Sequence, residues 1–247
     1  MPRLGDTNLE THQLGGSNFQ FSAARIEDLG ASEYTLGLIV VDDSPSVNSF
    51  KADIIAAIKE VVKACRRSPR ADNMMLRVLA FSRNVDEVHG FKPLPDCNEN
   101  DYDGLSSPGG STSLFDATLN AIQSASQYAK DLAAQDFDCN ACVFVLTDGW
   151  DNSSTSTANM VADAIDEAKR TEALESIMPV LIGVNLKDPS VKSALDDFQA
   201  TAGFQQFVAL DNADEKTLAK LGGFISQSIS SQSQALGTGG ASQSLSF

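Results

Sequence analysis

The sequence predicts an α/β fold, with helices on both faces of a mainly parallel central sheet. Two observations carry this expectation. Short, near-continuous apolar runs alternate with longer segments whose apolar residues recur at helical spacing, the pattern of buried strands joined by crossover helices. The acidic and hydroxyl-rich clusters lie where the apolar runs end, and such folds bind ligands beyond the carboxyl ends of their strands. A chain of 247 residues is long enough for one substantial core.

The elements follow in order. Residues 1–32 are polar and weakly periodic and read as an arm, in which Phe19, Phe21, Ile26 and Leu29 give the stretch FQFSAARIEDLG something to bury. The domain is expected over 33–232. It opens with the strand YTLGLIVVD from Tyr34 to Asp42. Phe50, Ile54, Ile55, Ile58, Val61, Val62 and Cys65 then mark a helix that Arg66, Arg67 and Pro69 stop, with basic residues at its negative end. MLRVLAFS is the next strand. VDEVHGFKPL follows too closely for a helical crossover, so it reads as an antiparallel strand at the sheet edge. An acidic loop runs from Pro95 to Gly110. Leu114 to Leu132 is helical, ACVFVLTD a strand, Met160 to Ala168 a helix and IMPVLIGV a strand. A helix over about 190–201, the strand QQFVAL and a last helix near 214–230 complete the series. The tail 233–247 is rich in Ser, Gln and Gly and reads as loose chain.

Composition excludes several functions. The net charge of −15 argues against nucleic-acid binding and against a basic attachment to anionic lipid. No run reaches membrane-spanning length. MPRLGDTNLETHQLGG lacks the apolar core of an export signal, so the cytoplasm is the expected location. Cys65, Cys97, Cys139 and Cys142 are too few for a disulfide framework. Cys139 and Cys142 form a CxxC, yet Cys142 opens an apolar run and no second pair lies at zinc-finger spacing, so the thiols read as packed.

Three loops carry the chemistry. Asp42, Ser44 and Ser46 alternate in DDSPS after the first strand of the domain. Ser111, Thr112 and Ser113 stand in GGSTSL before a helix, and Thr147, Asp148 and Gly149 in LTDG after a later strand. All offer oxygen, a donor set suited to a hard cation such as Mg2+. Pro45 biases Ser44 toward an extended backbone, and Gly109 and Gly110 allow the second loop a close approach.

This constellation resembles the metal-ion-dependent adhesion site of the von Willebrand factor A (vWA) family: D-x-S-x-S, a later Thr, and an Asp in T-D-G. Asp42, Ser44, Ser46, Thr112 and Asp148 match it, and the likeness extends over about 33–230 through the order of strands and helices. The resemblance implies a Rossmann-like vWA fold whose sheet is mostly parallel with one antiparallel edge strand. It implies that Ser44, Ser46 and Thr112 ligate Mg2+, or Mn2+ or Ca2+ in its place, with Asp42 and Asp148 beside it bonding its waters. An acidic side chain of a partner protein would then complete the coordination. Intracellular members are often coupled to AAA+ ATPases, which makes such an ATPase a candidate partner. Pro45 departs from the Gly common at its place; no ligand is lost, but the loop is stiffened.

Rival readings are a metal-dependent phosphohydrolase, or an assembly module that binds without metal. A hydrolase would need a general base, and His89, read as structural in its strand, and His12, in the arm, are poor candidates. No phosphate-binding glycine loop occurs. Phe115 reads as helix packing, and Trp150, in the loop after Asp148, as a partner contact. Asp43 and Asp151 add charge near the site.

Overall fold

The structure is a computed structural model that describes residues 8–15, 19–105, 109–242 and 244–247. Parts of the expected arm (1–7 and 16–18) and of the acidic loop (106–108) lie outside the described residues. The elements are β1 (Leu9–Gln13), β2 (Gln20–Ala24), β3 (Glu33–Asp42), α1 (Lys51–Arg66), β4 (Met74–Phe81), β5 (Val85–Pro93), α2 (Leu114–Ala133), β6 (Asp138–Thr147), α3 (Ala158–Arg170), β7 (Ile177–Gly183), α4 (Pro189–Ala202), β8 (Gln206–Ala209) and α5 (Glu215–Thr238).

The strands form one eight-stranded sheet in the order β1-β2-β5-β4-β3-β6-β7-β8. From β4 through β3, β6 and β7 to β8 every pairing is parallel. Side chains of a strand alternate between faces, and β3 follows the rule. Leu36, Leu38 and Val40 join a core with α2, α3 and α4 residues, whereas Ile39 and Val41 join a second core with α1 and α5. Burial on both faces is why β3 carries apolar residues without polar alternation. The α1–α5 pair packs closely: a Cβ added at Gly222 would lie 3.0 Å from the Ala57 carbonyl oxygen.

Three expectations need correction. Strand β5 is antiparallel to β4 as expected, but it is not the edge. The segment read as an arm supplies β2, which pairs parallel with β5, and β1, which pairs antiparallel with β2. The sequence hid this because QFSAA is short and has one large apolar residue, Phe21, which with Ala23 is buried in the core. The glycine of β5 permits it, since a Cβ at Gly90 would overlap the backbone of Ser22. The last helix is also longer than its composition suggested. It runs through Thr238, with Ser228, Gln232 and Ser233 buried, and Gly239 ends it in the left-handed region at φ 64°. Beyond it Phe247 sets its ring edge-on against Phe224. Small hydroxyls sit inside here because they let a helix lie close to its neighbours.

The four cysteines are free and buried. Cys139 and Cys142 face opposite cores, as an odd spacing along one strand requires, so the CxxC cannot close. Burial pushes the Cys65 and Cys97 thiols up to about 12.

Candidate metal centre

Strand β3 ends at Asp42, whose side chain is 2% exposed. Its Oδ1 accepts from the Ser44 amide at 2.8 Å and its Oδ2 from the Thr147 hydroxyl at 2.7 Å, so the ends of β3 and β6 are joined across the top of the sheet. Pro45 acts as expected on its neighbour: Ser44 is extended at φ −66°, ψ 161°. The loop does not stay extended, however. Pro45–Ser49 is a 3-10 turn, and it carries Ser46 round toward β6. Ser44 Oγ lies 2.9 Å from Ser46 Oγ, and Ser46 Oγ donates to Asp148 Oδ1 at 2.7 Å. Because Ser46 spends its proton on Asp148, Ser44 is the donor to Ser46.

Asp42, Ser44, Ser46 and Asp148 are thus brought into one hydrogen-bonded cluster. Thr112 is attached to it less directly. It is 6% exposed, and its amide donates to Asn152 Oδ1 at 2.7 Å while its carbonyl accepts from the Asn152 amide at 3.0 Å. Asn152 follows closely on Asp148, so the second loop is fastened to the third. Gly109 provides the expected close approach, since a Cβ there would lie 2.5 Å from Ser82 Oγ; at Gly110 the space is open.

The electrostatics separate the acids. Asp43, 3% exposed in its side chain, is ion-paired with Lys51. Asp151 accepts from the Phe115 amide at 3.1 Å and from the Ser154 hydroxyl, at the positive end of α2. Asp43 is therefore offset by a cation, and Asp151 is engaged by the donors at the start of α2. Asp42 and Asp148 have no Lys, Arg or His partner among the described residues. Burial raises the Asp42 carboxyl above its ordinary value, against the opposing hydrogen bonds from Thr147 and Ser44. Burial also pushes Asp148 up to about 6, with the nearby Asp42 adding to the rise and the Ser46 bond opposing it.

This donor set fits a hard divalent cation. It is all oxygen, and its two carboxylates, one buried and one half-buried, have no basic partner among the described residues, a costly state that a cation relieves. Ser111 Oγ, beside Thr112, is moreover buried without a partner among the described residues. Among those residues no three His, Cys, Asp or Glu side chains converge as a metal-holding group, so any ion here would depend on hydroxyls and water. Trp150 is 44% exposed beside the cluster. Phe115 packs on Phe198 with centroids 4.7 Å apart. His89 is buried, with Nε2 3.0 Å from the Tyr102 hydroxyl.

Sequence reasoning missed how the loop after Asp148 is used. Thr157 caps α3 through the Met160 amide, but residues 151–156 bind the start of α2 instead. Ser113, the residue preceding α2, makes no side-chain cap of its own. The signal was Asp116, an acid on the first turn of a helix otherwise packed into the core.

No family model matches the chain, and no curated protein matches it. Solved structures do. Proximal thread matrix protein 1 from the mussel byssus matches over 81% of this chain and 47% of its own, at 18% identity and a TM-score of 0.54; it has also been solved with a zinc-occupied MIDAS motif. The pilus adhesin SpaC from Lactobacillus rhamnosus GG matches over 86% of this chain and 32% of its own, at 12% identity and a TM-score of 0.59. The ArnB paralog VWA2 from Sulfolobus acidocaldarius matches over 85% and 48%, at 11% identity and a TM-score of 0.51. The chain thus spans less than half the length of these proteins, and at such identities the likeness is one of fold. With its parallel sheet from β4 to β8, its antiparallel strands toward the other edge and its helices on both faces, the chain has a Rossmann-like fold of the von Willebrand factor A type.

Proposed function

We propose that the chain binds a partner protein through a divalent cation held at the carboxyl ends of β3 and β6, and that it catalyses no reaction. The observation that carries this is the pair of carboxylates, Asp42 buried and Asp148 half-buried, hydrogen-bonded to hydroxyls and lacking a basic partner among the described residues. Mg2+, or Mn2+ or Ca2+ in its place, would supply the missing positive charge and an open position for one carboxylate oxygen of the partner. Ser44, Ser46 and Thr112 would hold it, directly or through water. Asp42 fixes the Ser44 amide and the Thr147 hydroxyl, and Asp148 orients Ser46.

The partner is a protein with an exposed Asp or Glu, an AAA+ ATPase being one candidate. Trp150 offers it an apolar contact at the rim. Asp43 is offset by Lys51, and Asp151 is turned onto the amides at the start of α2, so neither carboxylate is presented to the partner. A hydrolase is disfavoured because neither histidine reaches the cluster: His89 bonds Tyr102, and His12 lies against Asp131 and Phe21. We keep the cytoplasm as the compartment, with which four unpaired thiols agree. Among the described residues no helix is long and apolar enough to cross a membrane.

Calorimetric titration of the metal-stripped chain with Mn2+ and Mg2+ tests the reading. Saturable binding at one site is expected, abolished in Ser44→Ala and Asp148→Ala while both stay folded by circular dichroism. A folded wild type that binds neither ion would sink it and favour the metal-independent assembly module.

A further inference from the structure

The loop after Asp148 and the loop holding Thr112 are joined residue by residue. Asn152 exchanges two hydrogen bonds with the backbone of Thr112. Ser153 Oγ meets Ser113 Oγ at 2.9 Å; since Ser113 donates to the Arg83 carbonyl, Ser153 is the donor of that pair. Asp151 accepts from the Phe115 amide at 3.1 Å. The Asp116 amide donates to Ser154 Oγ at 3.0 Å. The Asp116 carboxylate closes the series: Oδ2 accepts from the Thr155 amide at 3.0 Å and Oδ1 from the Ser156 amide at 2.9 Å.

The first turn of a helix leaves amides without intrahelical acceptors. Here the caps come from the other loop, with Asp151 and Ser154 serving Phe115 and Asp116 while the Asp116 side chain anchors the far end of that loop. Asp116 is 9% exposed and both its oxygens are occupied, so it has no access to an ion or a partner. Its shorter bonds are to backbone amides, with the Thr155 hydroxyl 3.4 Å from both oxygens, and a charged side chain of this kind fixes such amides strongly.

We infer that Asp116 is a positioning residue that makes the Thr112 loop and the Asp148 loop one unit. The inference deepens the proposed metal-binding function and rests on it for its consequence, not for its geometry. The unit meets the DDSPS loop through fewer links, Ser46 to Asp148 and Thr147 to Asp42. A change of affinity at the site therefore moves Thr112 and Asp148 together against Ser44 and Ser46. It does not move Thr112 alone.

Amide hydrogen exchange on the metal-free chain, read residue by residue by NMR, tests the coupling without any ion. In Asp116→Asn the amides of Thr112 and Asn152, which do not touch residue 116, should exchange faster by about tenfold, together with those of Thr155 and Ser156. Ser154→Ala, which keeps Asp116, should give the same pattern at smaller amplitude and serves if the first variant does not fold. Acceleration confined to Thr155 and Ser156 would overturn the inference. A Mn2+ titration then reads the consequence. Asp116→Asn should weaken binding by about tenfold, whereas Arg70→Ala, which breaks the contacts with Glu33 and Ser233 at the opposite end of β3, should lower thermal stability without weakening binding. A purely structural role would leave Mn2+ affinity unchanged, and that result overturns the positioning role. A wild type that binds no Mn2+ but shows coupled exchange would refute the proposed function and leave the single unit standing.

Discussion

Two charge centres, one buried and one partly buried, lie on β4 and at the end of β3, and the chain treats them in opposite ways. On the β5 side the fully buried Arg77 guanidinium bonds Glu87 at 2.8 Å and also Asn120 and Ser124 of α2. Glu87 in turn accepts from the amide and hydroxyl of Ser22 in β2, and Arg77 lies 5.7 Å from the ring centroids of Phe21 and Phe91. Every charge there has its counterpart inside the fold. At the top of β3 and β6, Asp42 and Asp148 bond hydroxyls and an amide but no Lys, Arg or His among the described residues. A buried charge that the chain itself compensates is structural. A charge that the fold leaves without a counterpart is what the proposed binding function rests on.

The largest expected effect comes from breaking the compensated centre. Arg77→Ala leaves Glu87 buried and unpaired, which costs about 3–5 kcal/mol and loosens the β1–β2 hairpin that Glu87 holds. Arg77→Met with Glu87→Gln removes both charges and should recover most of that loss, because the desolvation cost falls away with the attraction. Urea denaturation of both variants measures it. Whatever still folds should bind Mn2+ like wild type. If the single variant also lost Mn2+ binding, the two centres would not be independent, and the contrast between them would collapse.

The uncompensated centre should show itself in pH dependence. Asp148 titrates at about 6 in the fold, against an ordinary value of 3.8. Between those values the folded state binds the proton that the unfolded chain releases, so this group's contribution to stability falls as pH rises and levels off above about 6. In EDTA, Asp148→Asn should therefore gain melting temperature over wild type as pH is raised from 4 toward 7. Divalent binding competes with the same proton, so the wild-type Mn2+ affinity should drop as pH falls below 6. A difference in melting temperature that does not change with pH would mean that Asp148 ionises freely, and the charge argument for the site would fail.

Much of this was legible in the sequence, for reasons that residues such as Leu36 to Val41 make plain. A strand buried on both faces shows an unbroken apolar run, and the loops at the strand ends show polar clusters. Asp42, Ser44, Ser46 and Asp148 were found this way, and the structure joins them. What stayed hidden is whatever depends on partners distant in sequence. Nothing in QFSAA announces that Ser22 will bond Glu87, and nothing in the Ser/Gln-rich end of α5 announces that Ser228 and Gln232 are buried. From the sequence Asp151 only added charge near the site; its bonds to the start of α2 depend on amides that only the tertiary fold brings to it.

The finest division lies between adjacent residues, Asp42 and Asp43. Both are buried, but they lie next to each other along an extended chain and so face opposite sides, and Lys51 at the start of α1 reaches only Asp43. Lys51→Ala makes the second acid resemble the first. Removing the cation from a charge-assisted contact costs about 1–3 kcal/mol, less than the Arg77 variant because Lys51 is 26% exposed in its side chain and water can replace part of it. The negative charge thus released lies one residue from Asp42, so Mn2+ affinity should rise, by a factor of a few rather than by decades, and the rise should shrink with added salt. Thermal melting and Mn2+ titration of this variant, at low and high salt, would check both halves. A fall in affinity would mean that Lys51 supports the DDSPS loop mechanically, and that neutralising Asp43 is not its main effect on the site.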